Sequence, residues 1–265
     1  MKDSVVRTRP RRAIILSAGQ GKRLLPYTAD RPKCLIELSG RAVIEHQIDT
    51  LVAAGFERIT VVLGYAIDMV EQRLHQRYPD TLLDIVFNPF FELADNLASC
   101  WMARNAMEED FLILNGDTLF EPAVLDRLLD APQQQPITLA IDHKQEYDAD
   151  DMKVTMDGAR LTRVGKALAL DSVDGESIGM MTFRGDGRRL FQEALERNMR
   201  STEALSRWYL SLIDELAESG AVYTASIEGL RWAELDFPHD LEHARALIRD
   251  ITASNITATP ASAGH

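Results

Sequence analysis

Arg12-Ala-Ile-Ile-Leu-Ser-Ala-Gly-Gln-Gly-Lys-Arg-Leu-Leu-Pro-Tyr-Thr-Ala-Asp-Arg-Pro-Lys33 is the stretch on which the reading of this chain turns. It opens with a short apolar run, Arg12 to Leu16, that breaks into Ser17-Ala18-Gly19, the pattern of a buried strand entering a glycine loop. Gly19 and Gly21 allow the backbone to approach a ligand closely and to turn its N–H groups toward phosphate oxygens. Lys22, Arg23, Arg31 and Lys33 set positive charge around the loop. A plain strand-to-helix turn is the competing reading, and a lone G-x-G would leave it ahead. Two familiar phosphate loops do not fit. A dinucleotide fingerprint needs a glycine or alanine where Leu24 stands, and a Walker A loop needs Ser or Thr where Arg23 stands.

Outward from this loop, strand-like and helix-like segments alternate. Val43, Ile44, Gln47, Ile48, Leu51 and Val52 fall at helical spacing, and Gly55 follows as a stop. Strand patterns recur at 58–64, 82–87 and 111–114, with helices predicted at 67–78, from Asp95 or Asn96 to Met107, and at 122–129. Such alternation predicts a parallel sheet covered on both faces, with ligands beyond the carboxyl ends of its strands. Ser17 to Arg23 and Asn115-Gly116-Asp117 both fall at that edge. The second half differs. Strand patterns at 137–142, 152–156, 161–164 and 178–183 lack intervening helices, and helices are predicted at 188–199, 202–219 and 238–249. The expectation is α/β, a mostly parallel mixed sheet with helices on both faces, which the second half completes while adding a small acceptor-side lid. One domain is expected over 12–251, between a basic disordered tail at 1–11 and an Ala/Ser/Thr-rich disordered tail at 252–265.

Composition narrows the function classes. The 265 residues carry 29 basic and 41 acidic side chains, a net charge of −12, which disfavours a general nucleic acid binder. No apolar run is long enough for a membrane helix, and the N-terminal residues are not a secretory signal. With Cys34 and Cys100 outside any CxxC pair, a reducing cytoplasm is expected. The histidines show no zinc spacing, and Ser17 lacks the G-x-S-x-G elbow of a serine hydrolase.

The pattern L-x-A-G-x-G-x-R-L-x-P-x-T followed by Pro-Lys resembles the sugar-phosphate nucleotidylyltransferase superfamily, through Leu16, Ala18, Gly19, Gly21, Arg23, Leu24, Pro26, Thr28, Pro32 and Lys33. The resemblance implies a Rossmann-like sheet, an NTP substrate and release of pyrophosphate. It implies that Leu16, Ala18, Gly19 and Gly21 line the nucleotide site and that Arg23 and Lys33 are catalytic, stabilising phosphate charge by preorganised electrostatics. It further implies that Asp117, ending an apolar strand, and Asp236, in Trp232-Ala-Glu-Leu-Asp236, form a Mg²⁺ pair. Glu234 and Asp240 are competitors, Asp240 being suited to a first helical turn.

Within the superfamily, Asp151-Met-Lys-Val154, Val164-Gly-Lys166, Gly175-Glu-Ser-Ile-Gly179 and Asp95-Asn-Leu-Ala-Ser99 look like the branch that cytidylylates phosphocholine or small phosphonates. That implies CTP as donor, a small phosphorylated or phosphonate acceptor, and Asn88, Asn96 and Ser99 as candidates for reading the base. A helix cap explains Asn96 equally well. Lys153 and Glu176 are candidates on the acceptor side, with Tyr209 and Trp232 as faces for a cationic amine. Trp208 is expected to pack the lid onto the sheet. A homodimer is compatible with the sequence; nucleic acid and membrane partners are not expected. The competing readings are a sugar 1-phosphate nucleotidylyltransferase using UTP, dTTP or GTP, and a non-catalytic nucleotide-binding module.

Overall fold

The computed structural model describes residues 9–258, with side chains to 253. The N-terminal half contains β1 (Arg12–Ser17), β2 (Glu37–Leu38), β3 (Arg41–Ala42), α1 (Val43–Ala53), β4 (Arg58–Leu63), α2 (Ile67–His75), β5 (Leu83–Phe87), α3 (Asn96–Met102), β6 (Phe111–Asn115), β7 (Thr118–Phe120) and α4 (Pro122–Leu129). The C-terminal half contains β8 (Ile137–Asp142), β9 (Lys153–Asp157), β10 (Arg160–Gly165), β11 (Gly175–Phe183), α5 (Asp186–Asn198), α6 (Leu210–Glu218), β12 (Val222–Ser226), β13 (Trp232–Glu234) and α7 (Asp240–Ala258).

Nine strands form one sheet in the order β5-β4-β1-β6-β11-β8-β12-β10-β9. Parallel pairing joins β5, β4, β1 and β6, and also β8 and β12; the other pairs are antiparallel. The mixed α/β sheet expected from the sequence is therefore present, and its second half continues the same sheet. Side-chain alternation along β1 explains why the strand is apolar throughout. Ala13 and Ile15 enter the core shared with α1, α2 and α4, whereas Ile14 and Leu16 enter the core shared with α3, α5 and α6. A third cluster, including Leu24, Leu38, Leu119, Leu235 and Leu247, seats α7 against the glycine loop and the β7–β13 ribbon. No described helix is long and apolar enough to cross a membrane. Cys34 and Cys100 are buried free thiols.

Three expectations need correction. The helix expected at 202–219 is broken: Thr202–Ser206 is a 3₁₀ turn, Arg207 is extended, and α6 starts at Leu210. Here the chain spends its backbone groups on α3 instead of on itself. Asp95 N–H donates to the Leu205 carbonyl (2.7 Å) and Leu97 N–H to the Arg207 carbonyl (3.3 Å). The basic tail expected at 1–11 ends earlier, because Arg9 pairs with Asp126 (3.0 Å) and Asp130 (2.6 Å) and the Arg11 carbonyl accepts from Glu57 N–H (2.8 Å). Residues 1–8 lie outside the described residues. The C-terminal tail expected from 252 is helical as far as Ala258, as the last turns of α7; the rest of it, 259–265, also lies outside.

Candidate active site

Parallel pairing of β1 with β6 places Leu16 opposite Asn115, so both loop motifs leave the sheet side by side. Gly116 makes this possible. A Cβ there would lie 2.6 Å from Ser17 Oγ and 2.7 Å from the Leu16 carbonyl oxygen. On the other side, Gln47 Nε2 donates to the carbonyls of Asn115 and Thr118, both at 2.8 Å, and so fixes the turn carrying Asp117.

The glycine loop folds back over Lys33. Thr28 Oγ1 donates to the Gly21 carbonyl (2.8 Å), Gln20 Nε2 to the Thr28 carbonyl (3.2 Å), and Lys33 N–H to the Gln20 carbonyl (3.1 Å). Gly21 has φ of 82°, and a Cβ on it would meet Lys33 Cβ at 2.8 Å. A Cβ on Gly19 would meet nothing within 4 Å, so no protein packing demands that glycine; its bare backbone faces open space.

Asp236 arrives from the far end of the chain. β13 pairs with β7, setting Glu234 opposite Thr118, and Leu235 N–H donates to the Asp117 carbonyl (3.1 Å). Asp240 is not a third ligand candidate of equal standing. Its Oδ2 accepts from the N–H groups of Asp236 (2.9 Å) and Phe237 (2.7 Å), the capping use of an acid at a helix start.

The result is a charged bridge. Lys33 Nζ lies 2.6 Å from Asp117 Oδ2 and 2.8 Å from Asp236 Oδ1, and Arg23 reaches Asp236 Oδ2 at 2.6 Å. Burial alone would discharge Lys33, but the two carboxylates outweigh it and hold its pKa above the usual lysine range. Burial likewise pushes Asp236 up, and Lys33 and then Arg23 bring its pKa below the usual aspartate value. Glu234 keeps exposed surface, yet its carboxyl is hemmed in by protein. Loss of water, then the charges of Asp117 and Asp236, push its pKa up to about 8. Carboxylate oxygens of Asp117, Glu234 and Asp236 all come within 4.8 Å of one another, and buried Asp117 Oδ1 has no hydrogen-bond partner. An all-oxygen set with an unsatisfied anionic atom fits a hard divalent cation.

Two cavities meet at this bridge. One, of about 310 Å³, is lined by Leu16, Ala18, Gly19, Gly21, Asn88, Asn96 and Ser99, together with Arg23 and Lys33. Asn88 is largely committed within the wall: Nδ2 donates to Ser99 Oγ (3.0 Å) and Oδ1 accepts from Phe90 N–H (2.9 Å). The other is a cleft of about 1070 Å³, walled by the loop between β8 and β9, by β11, and by β13 with α7. Asp142, Asp148, Asp150, Asp151, Glu176 and Glu234 line it, against Lys144, Lys166, Arg23 and Arg231.

Of the residues read as acceptor-facing, Trp232 and Glu176 line the cleft, with Trp232 Nε1 donating to Asp142 Oδ2 (2.7 Å). Lys153 and Tyr209 do not. Lys153 is buried, its Nζ turned to the Lys166 carbonyl (2.9 Å). Tyr209 is wholly buried and offers no ring face to a ligand. Trp208, expected to pack inside, is 40% exposed at the seam of the two cavities, with Lys166 Nζ 4.7 Å from its ring centre. Lys144 and Trp208 were missed as site residues, and Asn115, placed at the ligand edge by its position at a strand's carboxyl end, was given no role. Lys144 sits in an irregular loop with no period to read.

Comparison with known proteins gives the same picture. The chain is 29% identical over 241 residues to CMP-5'-(3-aminopropyl)phosphonate synthase of Streptomyces rubellomurinus, covering 89% of this chain but only 38% of that longer protein. It is 26% identical over 254 residues to CTP:phosphoglutamine cytidylyltransferase of Campylobacter jejuni, covering 87% of this chain and 97% of that one. The inositol-1-phosphate CTP transferase of T. maritima superposes with a TM-score of 0.78 at 21% identity, over 93% of this chain and 98% of that one, which establishes a shared fold. The resemblance carried by the glycine loop is thus borne out, and with residues 13–259 matching the MobA-like NTP transferase domain, the chain belongs to that family.

Proposed function

We propose that the protein is a Mg²⁺-dependent cytidylyltransferase that moves CMP from CTP onto a small phosphate or phosphonate acceptor bearing a cationic amine. The observation that carries this reading is the junction itself: a cavity lined by glycines, Arg23 and Lys33 opens at Asp117 and Asp236 into a larger cleft rich in carboxylates. Triphosphate suits the first cavity, because bare backbone at Gly19 and the charges of Arg23 and Lys33 favour phosphate oxygens. An ammonium group suits the second, because its acids and the Trp232 ring both attract cations. An acceptor phosphate oxygen at the junction attacks the α-phosphorus. The bond to the bridging α–β oxygen breaks, and pyrophosphate leaves with the electron pair. Arg23 and Lys33 stabilise the charge that gathers on the phosphoryl oxygens. Asp117 and Asp236, with Glu234 beside them, would hold Mg²⁺, which supplies charge neutralisation on the triphosphate.

The names of the similar proteins support CTP and phosphonate or phosphate acceptors for this chain. A pyrophosphate-release assay tests the proposal, with four NTPs against phosphocholine, phosphoethanolamine, 2-aminoethylphosphonate, 2-hydroxyethylphosphonate and glucose 1-phosphate, with and without a chelator. CTP with an amine-bearing acceptor is expected to give the highest kcat/KM, and only with divalent metal. Faster turnover of UTP or dTTP with glucose 1-phosphate would replace the proposal with a sugar-nucleotide activity.

A further inference from the structure

Tyr209 sits between two asparagines and binds both through their oxygens. Its backbone N–H donates to Asn96 Oδ1 (2.9 Å), and its hydroxyl donates to Asn115 Oδ1 (3.2 Å). A carboxamide carries its acceptor and its two donors on opposite arms. With both oxygens turned to Tyr209, both NH₂ groups turn away from it. Among the described residues neither Nδ2 meets a protein acceptor, and Asn96 and Asn115 each line both cavities. Gly179 makes room for one of them. It lies at φ of 71° on β11, where the register with β8 shifts between Ser177 and Met181, and a Cβ there would fall 2.3 Å from Asn115 Nδ2.

We propose that Tyr209 is a positioning residue that presets the Asn96 and Asn115 amides as neutral donors to the anionic oxygens of the acceptor's phosphate or phosphonate. Neutral donors suit this task. The acceptor's anionic end must reach the junction past many carboxylates, so it needs hydrogen-bond donors there. A full positive charge on it would draw electron density from the attacking oxygen, whereas an amide orients it at smaller cost to its nucleophilicity. The nucleotide phosphates already have Arg23, Lys33 and the glycine loop. The acceptor is then held by its two ends, amides at the phosphorus and carboxylates at the amine.

This inference rests on the transfer reaction proposed above, and the test separates the two. Steady-state kinetics with CTP and 2-aminoethylphosphonate are compared for the wild type, Tyr209→Phe and Asn115→Asp, together with thermal melting. Tyr209→Phe keeps the ring and the bond to Asn96 but frees the Asn115 amide. KM for the acceptor is expected to rise roughly five- to tenfold and KM for CTP less than about twofold, on the scale of one hydrogen bond. Asn115→Asp keeps an oxygen for the Tyr209 hydroxyl and replaces the donor by a charge that repels phosphonate; a rise above roughly tenfold is expected. Equal rises in both KM values, or an unchanged acceptor KM in Asn115→Asp, would overturn the assignment. If the wild type turns over no acceptor, the cytidylyltransferase reading fails by itself. Equilibrium binding of methylphosphonate and of inorganic phosphate then decides the amide pair: weaker in both variants if it is right, unchanged if it is wrong. Asn96→Asp supplies the same comparison should Asn115→Asp not fold.

Discussion

The two cavities that meet at Asp117 and Asp236 are built in opposite ways. The smaller one comes mostly from the parallel half of the sheet, and much of its wall is one contiguous run, Leu16 to Arg23. Its glycines leave the backbone bare for close approach, and Gly19 faces open space. The larger cleft is assembled from the antiparallel half, with acids drawn from the β8–β9 loop, β11, β13 and α7. Its character lies in side chains, charged groups together with the Trp232 ring, which many arrangements of sequence could supply. On the function proposed above, phosphate binding would constrain the chain locally and acceptor binding only through the fold.

The sharpest way to break this contrast is at the junction, which belongs to both cavities. Asp117→Ala and Asp236→Ala are each expected to lower kcat by on the order of 10³-fold, the upper range for losing one preorganised charge at a phosphoryl centre. Melting temperature should fall only modestly, since Lys33 keeps its second carboxylate partner in either variant. Near-normal turnover of Asp236→Ala with divalent metal would transfer the role to Glu234. Next in size is Lys33→Ala, for which kcat should fall on the order of 10²-fold with KM for CTP nearly unchanged. A rise confined to KM would make Lys33 a binding residue of the smaller cavity instead of a transition-state residue.

The contrast also explains what could be read without the structure. Strand and helix positions in the N-terminal half were legible because buried parallel strands are continuously apolar and their helices amphipathic, as β1 and α1 show. Gly21, Thr28 and Lys33 were legible as a motif, since their mutual contacts are local. The break at Arg207 was not legible. Thr202 to Ser219 has helical composition, and only the backbone bonds to α3 end the turn before Tyr209. That one missed break also misplaced Trp208 and Tyr209, exchanging an exposed ring for a buried one. Lys153 failed for a similar reason: alternation places it on β9, but not its amine against the Lys166 carbonyl.

A mutation confined to the cleft should separate the two cavities cleanly. Trp232 lines only the larger one, and its Nε1–H holds Asp142 in place. Trp232→Ala removes both the ring face and that restraint. KM for an amine-bearing acceptor should rise about tenfold, somewhat below the ~2 kcal/mol of a desolvated cation–π contact, while KM for CTP stays within about twofold. Equal effects on 2-hydroxyethylphosphonate and 2-aminoethylphosphonate would show that the ring shapes the cleft without sensing charge.

The smallest expected effect is a pH dependence, and it belongs to the cleft alone. Glu176 is buried on β11, and burial is the main influence raising its carboxyl pKa; Lys144 at 2.9 Å lowers it and Asp151 raises it again, leaving it at about 7. Asp142 on β8 and Lys153 on β9 are its strand neighbours, with the Lys153 amine engaged elsewhere. As pH rises from 6 to 8 Glu176 ionises, and the Lys144–Asp151–Glu176 cluster passes from neutral toward one net negative charge. KM for an amine-bearing acceptor should therefore fall, by roughly three- to fivefold for one screened charge at a few ångströms. Phosphonate oxygens titrate nearby as well, so the informative quantity is the difference between wild type and Glu176→Gln, in which the acceptor's own titration cancels. Stability moves the other way. The folded chain binds more protons at this position than the unfolded chain between the ordinary glutamate value and about 7, so the stabilisation present at acid pH is lost as pH rises through that window. Glu176→Gln should flatten both trends, in KM and in melting temperature. If the KM trend survives in that variant, the charge sensed by the amine lies elsewhere in the cleft, and Glu176 is a structural partner of Lys144.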